Sequence, residues 1–253
     1  MSSEDQRLSY QDFALRSNKK IISYNANYIL ASIPVFIAFG LLSWFCYVGA
    51  RATDKCFDVT PADDKPAIQR TLLANYTVIG VSIGIALSSL LWENLVGPFT
   101  KIFIGLMLIA VTSVAINSYM KLDESCDETK IIGQKKTMYT ILGVAIGLIF
   151  NGAVMSFLIY FSDMVRIYVW GMILAIGMII IGSFNIVADQ KCNKDGLSSD
   201  EKQSVETARN FAISEIVIGS VLIIVIAVAL YNGVGLSLSA AVGPETYDNY
   251  QRT

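Results

Sequence analysis

The sequence predicts an all-α integral membrane protein, with six transmembrane helices arranged as three repeated helical hairpins. Three observations predict it. Six apolar runs of about 20 residues, the length that crosses a hydrocarbon core, alternate with segments in which the charges collect. A glycine-bearing heptad, Ile79-Gly80-Val81-Ser82-Ile83-Gly84-Ile85, recurs as Leu142-Gly143-Val144-Ala145-Ile146-Gly147-Leu148, with a shorter echo at Ile218-Gly219-Ser220-Val221-Leu222-Ile223. Three charged segments carry one cysteine each, Cys56, Cys126 and Cys192, spaced 70 and 66 residues apart.

Composition supports the class. Charged residues make up 16% of the chain and hydrophobic residues 54%, whereas a soluble domain is about 25% charged. The net charge of −2 and the lack of any block of like charge speak against a nucleic-acid partner. The sequence contains no histidine, which removes histidine-ligated haem, histidine metal sites and histidine proton relays. None of the four cysteines forms a C-x-x-C pair, so neither a metal site nor a cofactor is expected.

The elements follow in order. Residues 1–27 form a polar lead without the apolar core of a cleavable signal, so the first span is expected to act as its own targeting signal. Ser9-Tyr10-Gln11-Asp12 resembles a capping box, and the lead is either a short interfacial helix or a solvated tail. Hairpin one covers residues 28–95. Its span 1, residues 28–50, ends in an aromatic belt of Trp44, Phe45 and Tyr47. Loop 51–70 holds Cys56, and span 2 covers 71–92. Hairpin two covers residues 96–162. Gly97-Pro98 marks the preceding turn, and span 3 (102–120), loop 121–136 with Cys126, and span 4 (137–161) follow. Hairpin three covers residues 163–232, with span 5 at 167–188, loop 189–209 holding Cys192, and span 6 at 211–231. A polar tail, 233–253, closes the chain.

Six crossings put the three cysteine loops on one side of the membrane and both termini on the other. Arg16, Lys19 and Lys20 ahead of span 1 favour cytosolic termini. The total count of Lys and Arg favours the reverse, with twelve in the cysteine loops and seven on the other side. With cytosolic termini, Cys56, Cys126 and Cys192 face an oxidising compartment, where two of them can pair and one is left over. Cys46, inside span 1, reads as a small packing residue.

Gly80/Gly84 and Gly143/Gly147 are G-x-x-x-G pairs. Each places two residues without Cβ on one helix face, which lets a neighbouring backbone approach closely. They are candidate packing residues, together with Gly219, for a contact between spans 2 and 4 or between protomers. Glu215 is the acid inside a predicted span. It is a functional candidate because an intramembrane charge is costly, although it lies near enough to a helix end to reach the interface. Asn151, Asn117 and Asn185 are the other intramembrane polar candidates, expected to bond across helix contacts or to line a pore. Glu93 and Lys101 read as solvated charges at a turn. Asn75-Tyr76-Thr77 matches a glycosylation sequon but sits too close to span 2 to be used as one.

No pair of carboxylates, activated nucleophile or metal set appears, so no catalytic constellation is present. Three two-span units equal the count in mitochondrial carriers. The segments after the odd spans, Ala52-Thr53-Asp54-Lys55-Cys56 and its relatives, lack the P-x-[DE]-x-x-[KR] signature of that family, and no family is assigned. The expected role is non-enzymatic: a structural or scaffolding protein of a larger membrane assembly, such as an organellar complex or a membrane-containing virus particle. Its partners are then the lipid bilayer and other membrane proteins. The alternative is a small-solute or ion transporter or channel, built around Asn151 and Glu215.

Overall fold

A computed structural model describes residues 33–91, 98–122, 128–158 and 163–232. The protein is all-α. Among the described residues, six helices are long and apolar enough to cross a membrane: α1 (Ile33–Val59), α2 (Lys65–Leu91), α3 (Pro98–Leu122), α4 (Glu128–Leu158), α5 (Asp163–Lys191) and α6 (Ser199–Tyr231). Helices are what a membrane permits here, because each satisfies its own backbone hydrogen bonds where no water can. The chain is thus an integral, multi-pass membrane protein.

The helices run further than hydropathy predicts, and the expected long loops are corrected accordingly. Residues 51–59 of the first expected loop continue α1, and α2 already begins at Lys65. In the last expected loop, α5 runs to Lys191 and α6 starts at Ser199, with a short 3-10 turn at Lys194–Gly196 between them. Hydropathy marks where the bilayer ends, whereas Lys, Glu, Arg and Gln are good helix formers in water and let the backbone continue. At 1.5 Å per residue α6 is about 50 Å long, so it projects well beyond a hydrocarbon core of about 30 Å. Its start is fixed by Glu201, whose carboxylate accepts hydrogen bonds from the Ser198 backbone N–H at 3.1 Å and the Ser198 hydroxyl at 2.9 Å.

α2 is the shared element. On one side it packs against α4, which in turn carries α3. On the other it meets α5, which carries α6. A core of Phe39, Leu42 and Cys46 from α1, Ile79, Ile85 and Ala86 from α2, and Trp170, Met178 and Ile181 from α5 joins these helices within the apolar zone. A second core lies on the cysteine face, where Ala52 and Cys56, Ile68, Cys192, Leu197, Val205 and Ala208 meet. Consecutive helices pair in α3/α4 and α5/α6. The threefold hairpin repeat is not established by this arrangement, in which α2 packs extensively against α4, a helix of the following hairpin.

Candidate functional site

The buried contacts between helices depend first on residues that lack a side chain. The two glycine heptads face each other across α2 and α4. A Cβ added to Gly84 would stand 2.6 Å from the Val144 carbonyl oxygen and 3.2 Å from the Gly147 Cα. One added to Gly80 would collide with the Thr140 carbonyl, and one on Gly143 with the Thr77 carbonyl. Gly219 of α6 approaches α5 in the same way, 2.8 Å from the Ala175 carbonyl, and Gly182 of α5 approaches the Ala212 carbonyl at 2.7 Å. Gly182 was missed at the sequence level, since it stands outside any G-x-x-x-G pair.

Three of the places where the described residues bury polar side chains bear on a site. Between α2 and α5, the Asn75 amide donates to Asn185 Oδ1 at 2.7 Å and to the Thr71 carbonyl at 3.0 Å. Asn185 returns a bond to Asn75 Oδ1 at 3.4 Å. Gly49 of α1 covers the pair, and a Cβ there would lie 2.6 Å from Asn185 Nδ2. Two amides that satisfy each other can be buried cheaply, whereas one left alone cannot. Asn75 therefore belongs to the helix interior, away from any glycosylation enzyme.

The second place corrects an expectation. Lys101 is not a solvated turn charge: it is fully buried, with 0% exposure. Its ammonium donates to Asn151 Oδ1 at 3.0 Å and to the Ser88 carbonyl at 3.4 Å, tying α3 to α4 and to the end of α2. Residues 50 positions apart in sequence meet here, which no local pattern announces.

The third place is Glu215. It is 2% exposed, and neither carboxylate oxygen has a hydrogen-bond partner among the described residues. Its Cβ lies 3.3 Å from where a Gly182 side chain would begin. Asn117 joins none of these clusters and is exposed on α3.

On the cysteine face, Cys56 at the end of α1 and Cys192 just beyond α5 form a disulfide with their Cα atoms 5.2 Å apart. Cys126 and both polar termini lie outside the described residues. Ion pairs surround the disulfide: Asp54–Lys136 at 2.6 Å, Asp64–Lys191 at 2.8 Å and Asp189–Lys194 at 2.8 Å. Two open cavities lie on this face. One, of about 390 Å³, separates α1 from α6. The other, of about 520 Å³, lies beside Asp189, Lys194 and Arg209. Among the described residues, no cluster of three or more His, Cys, Asp or Glu side chains is arranged to hold a metal. The buried groups can fasten helices to one another, and among the described residues Glu215 is the buried side chain with two unused acceptor atoms.

Compared with protein-family models, with curated proteins and with solved structures, the chain matches none.

Proposed function

We propose that the protein is a non-enzymatic, structural component of a larger membrane assembly, in an organellar complex or the membrane of a virus particle. The observation that carries this reading is fastening at two levels. Inside the apolar zone, the glycine faces of α2 and α4 bring backbones together. Outside it, Cys56–Cys192 joins the end of α1 to the end of α5. A bundle clamped at both levels is suited to keeping its shape. The small-residue faces act as the association surfaces of the helices, and the three hairpins act as related building units.

The outer face of α3, with Phe99, Phe103, Leu106, Val111 and Val114 all exposed, is available to lipid or to neighbouring membrane proteins. Those are the partners proposed, and nucleic acid is not among them. The disulfide also supports a sidedness. Disulfides persist where the compartment is oxidising, which favours a cysteine face in a lumen or outside and, with it, cytosolic termini.

Gentle extraction from the native membrane, followed by native mass measurement and crosslinking, tests the role. A defined complex with crosslinks from the tails and the cysteine face to other proteins is expected, and a free monomer would sink the proposal. The unused oxygens of Glu215 favour a second reading, passage of a small solute or ion. Flux through reconstituted vesicles that disappears in Glu215→Gln would put that reading in place of the structural one.

A further inference from the structure

The groove between α1 and the start of α6 has the arrangement of a phospholipid headgroup site. Trp44, Tyr47, Arg51 and Lys55 fall three or four residues apart, so they stack up one face of α1. Trp44 is 59% exposed, and its ring lies 6.3 Å from that of Tyr47. Exposed Trp and Tyr on a membrane helix mark the level of the headgroups. One turn further out, the Arg51 guanidinium sits over the Tyr47 ring at 6.0 Å, and Lys55 follows one turn beyond. Both basic side chains therefore stand where lipid phosphates lie.

Neither is held by an ion pair of the kind that engages other basic side chains of this face. On the same face Lys136, Lys191 and Lys194 each meet an aspartate within 2.8 Å. Arg51 and Lys55 have no ion-pair partner among the described residues. Across the cavity, α6 presents Asp200, Gln203 and Thr207. The neighbouring acid, Glu201, is hydrogen-bonded by Ser198 and also feels the charge of Lys55. The cavity itself is lined by two cations, Arg51 and Lys55, on one wall and one carboxylate, Asp200, on the other. Its volume of about 390 Å³ is at the small end of ligand sites: room for a headgroup and glycerol, with the acyl chains left outside along the exposed apolar flank of α1.

We infer that this groove binds one glycerophospholipid whose headgroup carries a primary ammonium. The phosphate lies between Arg51 and Lys55, the ammonium faces Asp200, and the glycerol and upper acyl carbons rest on Trp44 and Val48. The inference rests on the membrane-spanning fold. It needs neither the structural role nor the sidedness proposed above.

The test uses the full chain in a mild detergent, with native mass spectrometry against four probes. These are phosphatidylethanolamine, phosphatidylcholine, diacylglycerol and water-soluble glycerophosphoethanolamine. One phosphatidylethanolamine per chain is expected, held more tightly than phosphatidylcholine, with diacylglycerol and the soluble headgroup not retained. Arg51→Gln with Lys55→Gln should weaken retention by about thirtyfold, as expected for two basic contacts at a headgroup. Asp200→Asn should remove the preference for ethanolamine over choline. Lys202→Gln, an exposed charge outside the groove, should change nothing. An intact Cys56–Cys192 bond and an unshifted melting temperature confirm folding, and Lys55→Gln alone carries the test if the double variant does not fold. Equal retention of diacylglycerol, undiminished binding in the charge variants, or no bound lipid would overturn the site. A groove that holds glycerophosphoethanolamine as well as the lipid would overturn its assignment to the membrane.

Discussion

Gly84 and Gly40 are both glycines in membrane helices, and they should behave oppositely when enlarged. A side chain at Gly84 runs into the backbone of α4, which cannot move aside, whereas nothing lies within 4 Å of the position a Gly40 side chain would take. Gly84→Val is expected to cost about 1–3 kcal/mol through overpacking, while Gly40→Ala should be neutral or slightly stabilising. Thermal unfolding in detergent, with far-ultraviolet circular dichroism as the signal, checks both. Equal melting temperatures for the two variants would show that α2 and α4 do not pack at their glycine faces. The residue scale also marks a limit of the sequence. The G-x-x-x-G spacing is visible in one dimension, because it depends on a single helix. The bonds of Lys101 to Asn151, and of Asn75 to Asn185, depend on which helix lies opposite, so hydropathy assigned Lys101 to solvent and named no partner for Asn75. For Lys101 polarity was read as exposure, whereas a polar group can be buried once a second polar group meets it.

Element ends carry more of the structure than the apolar centres suggest. α1 and α6 each extend past the bilayer, and their extensions pack with Ile68, Cys192 and Leu197 into a small core of a kind found in water-soluble proteins. The disulfide lies within that core and spans a separation of 136 residues. Removing it with Cys56→Ser should cost about 2–4 kcal/mol, read as a lower melting temperature. The far-ultraviolet helix signal at room temperature should be unchanged, because the apolar-zone contacts remain. Complete loss of folded protein would mean that the cysteine face, and not the bilayer segment, organises the bundle. The number and approximate centre of the spans were legible, since hydropathy measures solvent preference directly. Their ends were not, since helix formation depends on backbone hydrogen bonds that charged side chains do not interrupt.

For the molecule as a whole, sidedness makes a testable expectation. With the cysteine face in an oxidising compartment, a membrane-impermeant maleimide applied to sealed vesicles should label cysteines introduced at the exposed positions Lys202 and Glu206 (Lys202→Cys, Glu206→Cys) only from the non-cytosolic side. Labelling of those cysteines from the cytosolic side would reverse the topology, and it would then favour the total Lys and Arg count over the basic residues ahead of the first span. The fold class was legible at this scale because a membrane admits few architectures. The assembly order of the helices was not. Two hairpins of similar sequence suggest a repeat, but α2 bridges to α4 and to α5 through glycine and amide contacts whose geometry is decided only when all the helices are present.

The pairing of the first loop cysteine with the third bears on how the chain is made. Cys126 is synthesised 70 residues after Cys56, and Cys192 a further 66 residues later. At about 5–20 residues per second, the middle cysteine precedes the native partner by several seconds. On the proposed topology, the nascent chain therefore meets the wrong thiol first. The mature bond skips it, so correct closure must wait for, or be reshuffled after, insertion of the fifth helix. Formation of Cys56–Cys192 then marks the moment at which biogenesis of the bundle has passed its fourth helix, and a trapped Cys56–Cys126 species would be the signature of a chain stalled before it.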